Sequence, residues 1–180
     1  LMLDVSHMSD RATAETVELS RAPVLASHSN TRALCDVPRN LTDDVLHRIA
    51  DKGGLVGAMF HGPFVACDGP AERADVVAQI AGLVERIGAE RVGLGSDFDG
   101  KIKAPVGLRS VRDLPALEAD LLDAGLTAAQ IRLVMGDSFL PYWRAVWQAR
   151  ADQRRPEIST PGDPPADAAG SAGSPPGGPG

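Results

Sequence analysis

Three residues in the first hundred positions close short apolar runs with side chains that bind metals: His7, His28 and Asp97. Neighbouring parallel strands lie about 4.8 Å apart, so imidazoles ending consecutive strands can reach one metal at about 2.1 Å each. Two ring nitrogens and a carboxylate suit Zn2+ better than Mg2+ or Ca2+, which prefer shells of oxygen. Taken singly, a histidine at a strand end is equally a polar cap. The aspartate of Asp97-Phe98-Asp99-Gly100 is equally a turn residue. Placed together on one rim, the three point to a metal site. Arg39 stands just before Asn40-Leu41-Thr42-Asp43 and by itself reads as a surface charge flanking a helix.

The elements that must position these residues alternate. Leu1 to Val5 reads as a strand ending at Ser6-His7, and Ser9-Asp10 cap a helix carrying Ala12, Ala14, Val17 and Leu19. Pro23 starts a second strand that runs to Ser27-His28. Thr42 opens a helix with Val45, Leu46 and Ile49, and Gly53-Gly54 stop it. A third strand spans Leu55 to Phe60, and helical spacing of Val76, Val77, Ile80, Leu83, Val84 and Ile87 predicts a helix over 71–87. Arg91 to Gly95 is the fourth strand, and helices follow near 113–123, 127–135 and 139–150.

Strands alternating with helices predict a parallel sheet with right-handed crossovers. The continuous apolar runs predict strands covered on both faces. In a (β/α)8 barrel the C-terminal strand ends form the active-site face, but a whole barrel takes about 250 residues. The expected fold is therefore α/β: the C-terminal half of a (β/α)8 TIM barrel, with four parallel strands and outer helices over residues 1–150. Residues 151–180, rich in Pro, Gly and Ala from Pro156 onward, are expected to form a disordered tail, having too little apolar surface to offset their ordering entropy. Such a half leaves two open sheet edges. Those of Leu3, Val5, Leu25, Val56, Ala58, Val92 and Leu94 that face inward would meet water, which favours self-association, such as a homodimer through paired edges.

The net charge of −6 argues against a nucleic-acid partner. No apolar stretch is long enough to span a bilayer. Two cysteines, Cys35 and Cys67, support neither a disulfide framework nor a thiolate zinc knuckle; they read as buried or unpaired thiols of a reducing compartment, and the expected location is cytoplasmic. His61 reads as a solvated loop histidine, His47 as surface, and Asp99 as shaping the turn after Asp97.

Several blocks also carry a resemblance. Asp4-Val5-Ser6-His7, Ala26-Ser27-His28-Ser29-Asn30 with Arg32-Ala33-Leu34-Cys35, Pro38-Arg39-Asn40-Leu41-Thr42-Asp43, and Gly95-Ser96-Asp97-Phe98-Asp99-Gly100 resemble, in order and spacing, the C-terminal half of the membrane (renal) dipeptidase family of zinc peptidases. The resemblance implies a barrel holding two zinc ions bridged by a glutamate. His7 and His28 would be the two histidines of one zinc, Asp97 the carboxylate of the other, and Arg39 the group that binds the substrate's terminal carboxylate. It implies hydrolysis of dipeptides, some with a D-residue second, by a metal-bridging hydroxide.

The sequence departs from the family pattern in places. The family's His-x-Asp pair and bridging glutamate lie upstream of the matched blocks, and neither precedes Leu1. Met59 stands where many members carry asparagine. Gly136-Asp137-Ser138-Phe139-Leu140-Pro141 departs from a Gly-Gly-Asn-x-Leu-Arg-like pattern. The expected function is a zinc dipeptidase, present as a fragment without the N-terminal ligands and inactive when isolated. The alternatives are an inactive remnant, a split-chain partner, or a different amidohydrolase on the same barrel.

Overall fold

In a computed structural model, which describes residues 1–151, the chain forms an α/β fold around a small parallel sheet. The expected tail lies outside the described residues, apart from Ala151, which ends the last helix. Helix α1 (Asp10–Leu19) begins at Ser9, whose side chain accepts from the Ala12 N–H. Strand β1 (Leu25–Ala26) leads to α2 (Asp43–Asp51), capped in the same way by Thr42 onto the Val45 N–H. These hydroxyls satisfy N–H groups that the first helical turn leaves without partners. Strand β2 (Leu55–Ala58) is followed by a short turn of helix, α3 (Gly62–Val65), and then by α4 (Arg73–Ile87). Strand β3 (Val92–Leu94) precedes α5 (Leu114–Asp123), α6 (Ala128–Arg132) and α7 (Phe139–Ala151). A wider π-type turn over Leu133–Asp137 joins α6 to α7 and leaves helical geometry at Gly136.

The sheet has three strands in the order β1-β2-β3, all parallel, with Val56 opposite Val92 and Leu25 opposite Leu55. Four strands were expected. The first apolar run does lie parallel beside β1, with Val5 N–H donating to Leu25 C=O at 2.8 Å and Leu25 N–H donating to Leu3 C=O at 2.9 Å. It makes a single bridge at Asp4 and no longer ladder. The ladder stops there because the next N–H in register, that of Ser27, donates to the Asp4 carboxylate at 3.0 Å, and Val5 C=O accepts from Met8 N–H at 3.1 Å.

Alternation along the strands divides the packing. Val24, Ala26, Val56, Ala58 and Val92 are buried and share a core with Leu46, Ile49, Ile80, Leu83, Leu117 and Leu121 from the helices. On the other face, Leu55 packs with Tyr142 and Val146 of α7, beside Met2 and Leu25. Helix α7 thus covers part of the layer that was expected to be wet. Val5, Val56, Ala58 and Val92 are fully buried, Leu25 and Leu94 are half-buried, and Leu3 alone of the seven is exposed. The far edge of β3 is also engaged: the Ser138 hydroxyl donates to Val92 C=O at 2.9 Å.

Tyr142 carries an inconsistency that predicts a measurable effect. Its ring is buried, yet its hydroxyl finds no partner among the described residues. Burial, together with the charge of Asp4, pushes its pKa up to about 12. A buried hydroxyl without a hydrogen bond costs about 1–3 kcal/mol. Tyr142→Phe is therefore expected to stabilise the chain by about 1 kcal/mol, measured as a raised urea midpoint at constant m. A destabilised variant would show that the hydroxyl has a partner in solution.

The two cysteines correct an expectation. They are not free thiols: Cys35 and Cys67 form a disulfide across 32 residues, with Cα atoms 5.3 Å apart. Cys35 is buried beneath the loop after β1, and Cys67 lies exposed after α3. The bridge ties the loop that carries Arg39 to the segment that follows α3.

Candidate functional site

Strand register brings two of the expected ligands together. The segment Leu3–Val5 and β1 run side by side, so His7 and His28, just beyond their C-terminal ends, become neighbours. Their Nε2 atoms lie 2.8 Å apart, with the rings edge to face at a 4.9 Å centroid separation. Behind His28, Nδ1 sits 2.7 Å from the Ser27 hydroxyl, which donates to the Asp4 carboxylate at 2.5 Å. The same carboxylate accepts from the backbone N–H groups of Ser6 and Ser27, both at 3.0 Å.

The surroundings of His28 favour its neutral form. Desolvation pushes its pKa down, the nearby Arg39 and His7 charges push the same way, and these together exceed the opposing pull of Asp97 and Asp4. A neutral imidazole is the form that binds a metal. Burial alone would raise the Asp4 carboxyl, but the hydrogen bonds from Ser27 and Ser6 outweigh it and hold it below the usual carboxylate value.

Arg39 reaches back over the same strand end. Its Nη2 donates to His28 C=O at 3.0 Å and its Nη1 to the Ser29 hydroxyl at 3.1 Å. Each Nη carries two hydrogens, so the fork is anchored while donors remain. Its Nε is buried and meets no acceptor among the described residues. Desolvation lowers its pKa against the attraction of Asp4 and Asp97. Arg39 is therefore not the free surface charge that its position beside a helix suggests.

Asp97 lies on the same rim, and its charge acts on His28, Arg39 and His61. It does not join the two histidines as a third ligand: no group of three His, Cys, Asp or Glu side chains able to hold a metal occurs among the described residues. Asp97 and His7 share a backbone feature, with φ of 59° and 69°. Residues other than glycine in this left-handed region are strained, and such strain clusters at functional sites. Asp99 is exposed in the turn after Asp97. His61 is a half-exposed loop residue that is nevertheless held: its Nδ1 accepts from the Lys103 N–H at 3.0 Å and its ring packs edge-on against Phe64. His47 is on the surface as expected.

Two glycines make the arrangement sterically possible. A Cβ on Gly95 would lie 2.0 Å from the Ser27 carbonyl oxygen and 2.9 Å from His28 Cα; one on Gly57 would lie 2.2 Å from that same oxygen. The backbone beneath His28 therefore rests on bare glycine at two places, Gly57 in β2 and Gly95 just past the end of β3. Asn30 secures the loop beyond it: its side chain accepts from the Met59 N–H at 3.0 Å and donates to Met59 C=O at 3.1 Å and Phe64 C=O at 3.2 Å.

The two histidine nitrogens are close enough to share one zinc. Two nitrogens each about 2.1 Å from a tetrahedral ion lie about 3.4 Å apart, a small opening from the present 2.8 Å contact. Sequence reasoning did not single out Asp4, Ser27 or Gly95. One signal for the first two was present: a serine precedes each histidine, at Ser6-His7 and Ser27-His28, and Asp4 stands just upstream of the first pair.

The family profile for Membrane dipeptidase (Peptidase family M19) matches residues 1–157. Dipeptidase ataJ of Aspergillus terreus is 38% identical over 137 residues, which is 75% of this chain and 33% of that protein. An uncharacterized protein from the pqqA 5' region of Klebsiella pneumoniae is 38% identical over 152 residues, 82% of this chain and 56% of that protein. The chain thus spans a third to just over half of these relatives. Among solved structures, a Rhodobacter sphaeroides metallo peptidase liganded with a phosphinate mimic of the dipeptide L-Ala-D-Ala superposes with a TM-score of 0.76 at 34% identity, covering 81% of this chain and 42% of that one. With the family profile matched over most of its length, this chain belongs to the membrane dipeptidase family.

Proposed function

We propose that this chain forms the C-terminal half of a (β/α)8 barrel in a zinc dipeptidase, with residues 1–150 as the half-barrel and the remainder as its tail. The observation that carries this reading is the meeting of His7 and His28 Nε2 at 2.8 Å beside an arginine anchored on His28's own carbonyl. The share of the phosphinate-bound structure that the chain spans, 42%, supports the half-barrel division.

In this reading His7 and His28 hold one zinc, and Asp97 supplies a carboxylate toward a second. Zinc, when bound, supplies Lewis acidity that polarises a carbonyl and activates water. The chain's own residues do the rest. Arg39 binds the terminal carboxylate of a dipeptide through its fork, and Ser29 and the His28 carbonyl fix the direction of that fork. A cation at a fixed distance from the metal restricts cleavage to short peptides.

Calorimetric titration of zinc into the full chain tests the site. Weak binding that is abolished in His7→Ala and in His28→Ala is expected, because two histidines make an incomplete site. Zinc binding that survives both substitutions sinks the assignment. Alone the chain is expected not to hydrolyse dipeptides, and to gain activity when joined to a family N-terminal half. No gain on joining would favour the reading as an inactive remnant.

The disulfide bears on location. The cytoplasmic expectation leaned on reading Cys35 and Cys67 as thiols, and a cystine persists in oxidising compartments. We propose such a compartment for this chain. Alkylation after acid quenching of native material should leave both cysteines unmodified, and reduction should then lower stability by about 3–4 kcal/mol, the chain-entropy value for a loop of this length. Full alkylation before reduction would return the chain to a reducing compartment.

A further inference from the structure

We propose that Asp4 and Ser27 form a relay that sets the tautomer of His28, placing the proton on Nδ1 and leaving Nε2 open toward His7. This rests on the zinc-site reading for its purpose, though not for its geometry.

The argument follows from counting hydrogens. The Ser27 hydroxyl has one proton and three polar neighbours: Asp4 Oδ2 at 2.5 Å, His28 Nδ1 at 2.7 Å and Ser6 Oγ at 3.3 Å. An ionised carboxylate only accepts, and a hydrogen bond to charge is the stronger one. The proton therefore points to Asp4, and Ser27 Oγ accepts from His28. That requires Nδ1–H, so Nε2 carries the lone pair. His7 Nε2, 2.8 Å away, would then donate its hydrogen into that lone pair.

Asp4 also clamps the backbone. Its Oδ1 accepts from the N–H groups of Ser6 and Ser27, each at 3.0 Å, and Ser6 Oγ accepts from His28 N–H at 3.1 Å. The two segments that deliver the histidines are thus tied together just behind them. Histidines on metals generally pass their second N–H to a carboxylate, carbonyl or water, and losing that partner costs 10–100-fold in metal affinity. Here a serine carries the connection to the carboxylate. Asp4 and Ser27 are positioning residues, since neither approaches Nε2 itself.

Long-range proton–nitrogen NMR of the labelled full chain tests the relay. Wild type should show His28 protonated at Nδ1. In Asp4→Asn the carboxamide nitrogen would donate to Ser27, the serine hydrogen would turn to Nδ1, and the His28 proton should move to Nε2. Ser27→Ala should give a mixture of tautomers, and Ser27→Thr, which keeps the hydroxyl, should restore Nδ1–H. Zinc affinity by calorimetry should fall about 10–100-fold in Asp4→Asn and in Ser27→Ala, with Ser27→Thr close to wild type. A double Asp4→Asn, Ser27→Ala variant should bind no worse than the weaker single one, because both act along one path. An Nδ1–H tautomer unchanged in both Asp4→Asn and Ser27→Ala overturns the proposal. Wild type that binds no zinc while the tautomers shift as described would sink the zinc site and leave the relay standing.

Discussion

Replacing Arg39 with alanine, in a barrel completed by a family N-terminal half, is expected to raise KM for dipeptides about 100-fold while kcat changes only a few-fold. Hydrogen bonds to a charged group are worth about 1.5–3 kcal/mol each, and a bidentate carboxylate pair supplies two. A contact made equally in the ground state and the transition state shows itself in KM. Arg39→Lys should not restore binding. A lysine is a point charge and cannot hold the Ser29 hydroxyl and the His28 carbonyl while also presenting a planar fork. Steady-state kinetics with an unblocked dipeptide and its C-terminal amide separate the outcomes, since the amide should be insensitive to the substitution. Loss of kcat at unchanged KM would place Arg39 on the reacting centre instead.

The second large effect is steric. Gly95→Ala is expected to cost about 3 kcal/mol, a fall in Tm of roughly 10 °C, because the added methyl must displace backbone and not a flexible side chain. Its Cβ would lie 2.0 Å from the Ser27 carbonyl oxygen and 2.9 Å from that of Gly57. Lifting the Ser27 carbonyl away from the new methyl would carry His28 with it, so zinc affinity should fall as well. Two residues earlier, inside β3, Gly93→Ala meets nothing closer than the Ser138 hydroxyl at 3.7 Å. That variant should be neutral or more stable by up to about 1 kcal/mol, through the smaller entropy of its unfolded chain. Thermal unfolding of the pair gives a direct contrast. Equal stability of the two would mean that the close approach at Gly95 relaxes without cost.

Local chemistry was the part of this molecule open to reading from sequence. Ser9 and Thr42 cap their helices because a side-chain oxygen one residue ahead of the first turn satisfies that turn's own N–H groups, and nothing distant is needed. The spacing of Val76, Val77, Ile80 and Leu83 placed α4 for the same reason. His7 and His28 were legible because parallel strands in sequence order become neighbours in space. What depended on distant partners was not legible. Leu1 to Val5 has strand composition, but its ladder ends where the distant Ser27 N–H turns to the Asp4 carboxylate. Cys35 and Cys67 are 32 residues apart, and only the fold brings their Cα atoms to 5.3 Å. Helix α7 was placed correctly along the chain, but not that Tyr142 and Val146 would cover Leu55. The π-type turn before it depends on the backbone at Gly136, which a periodicity argument does not see.

The left-handed dihedrals at His7 and Asp97 set stability against chemistry. At φ of 69° a histidine side chain crowds its own carbonyl, and the conformation costs roughly 1–2 kcal/mol that glycine would not incur. A library of this chain sorted only for survival of heating should therefore drift toward glycine at position 7, each such clone gaining roughly 1 kcal/mol and losing an imidazole. A library sorted for retention of zinc should keep histidine there and recover its losses elsewhere in the core. Position 7 is thus where the two selections diverge, and a consensus sequence weighted by thermostability would erase a proposed zinc ligand.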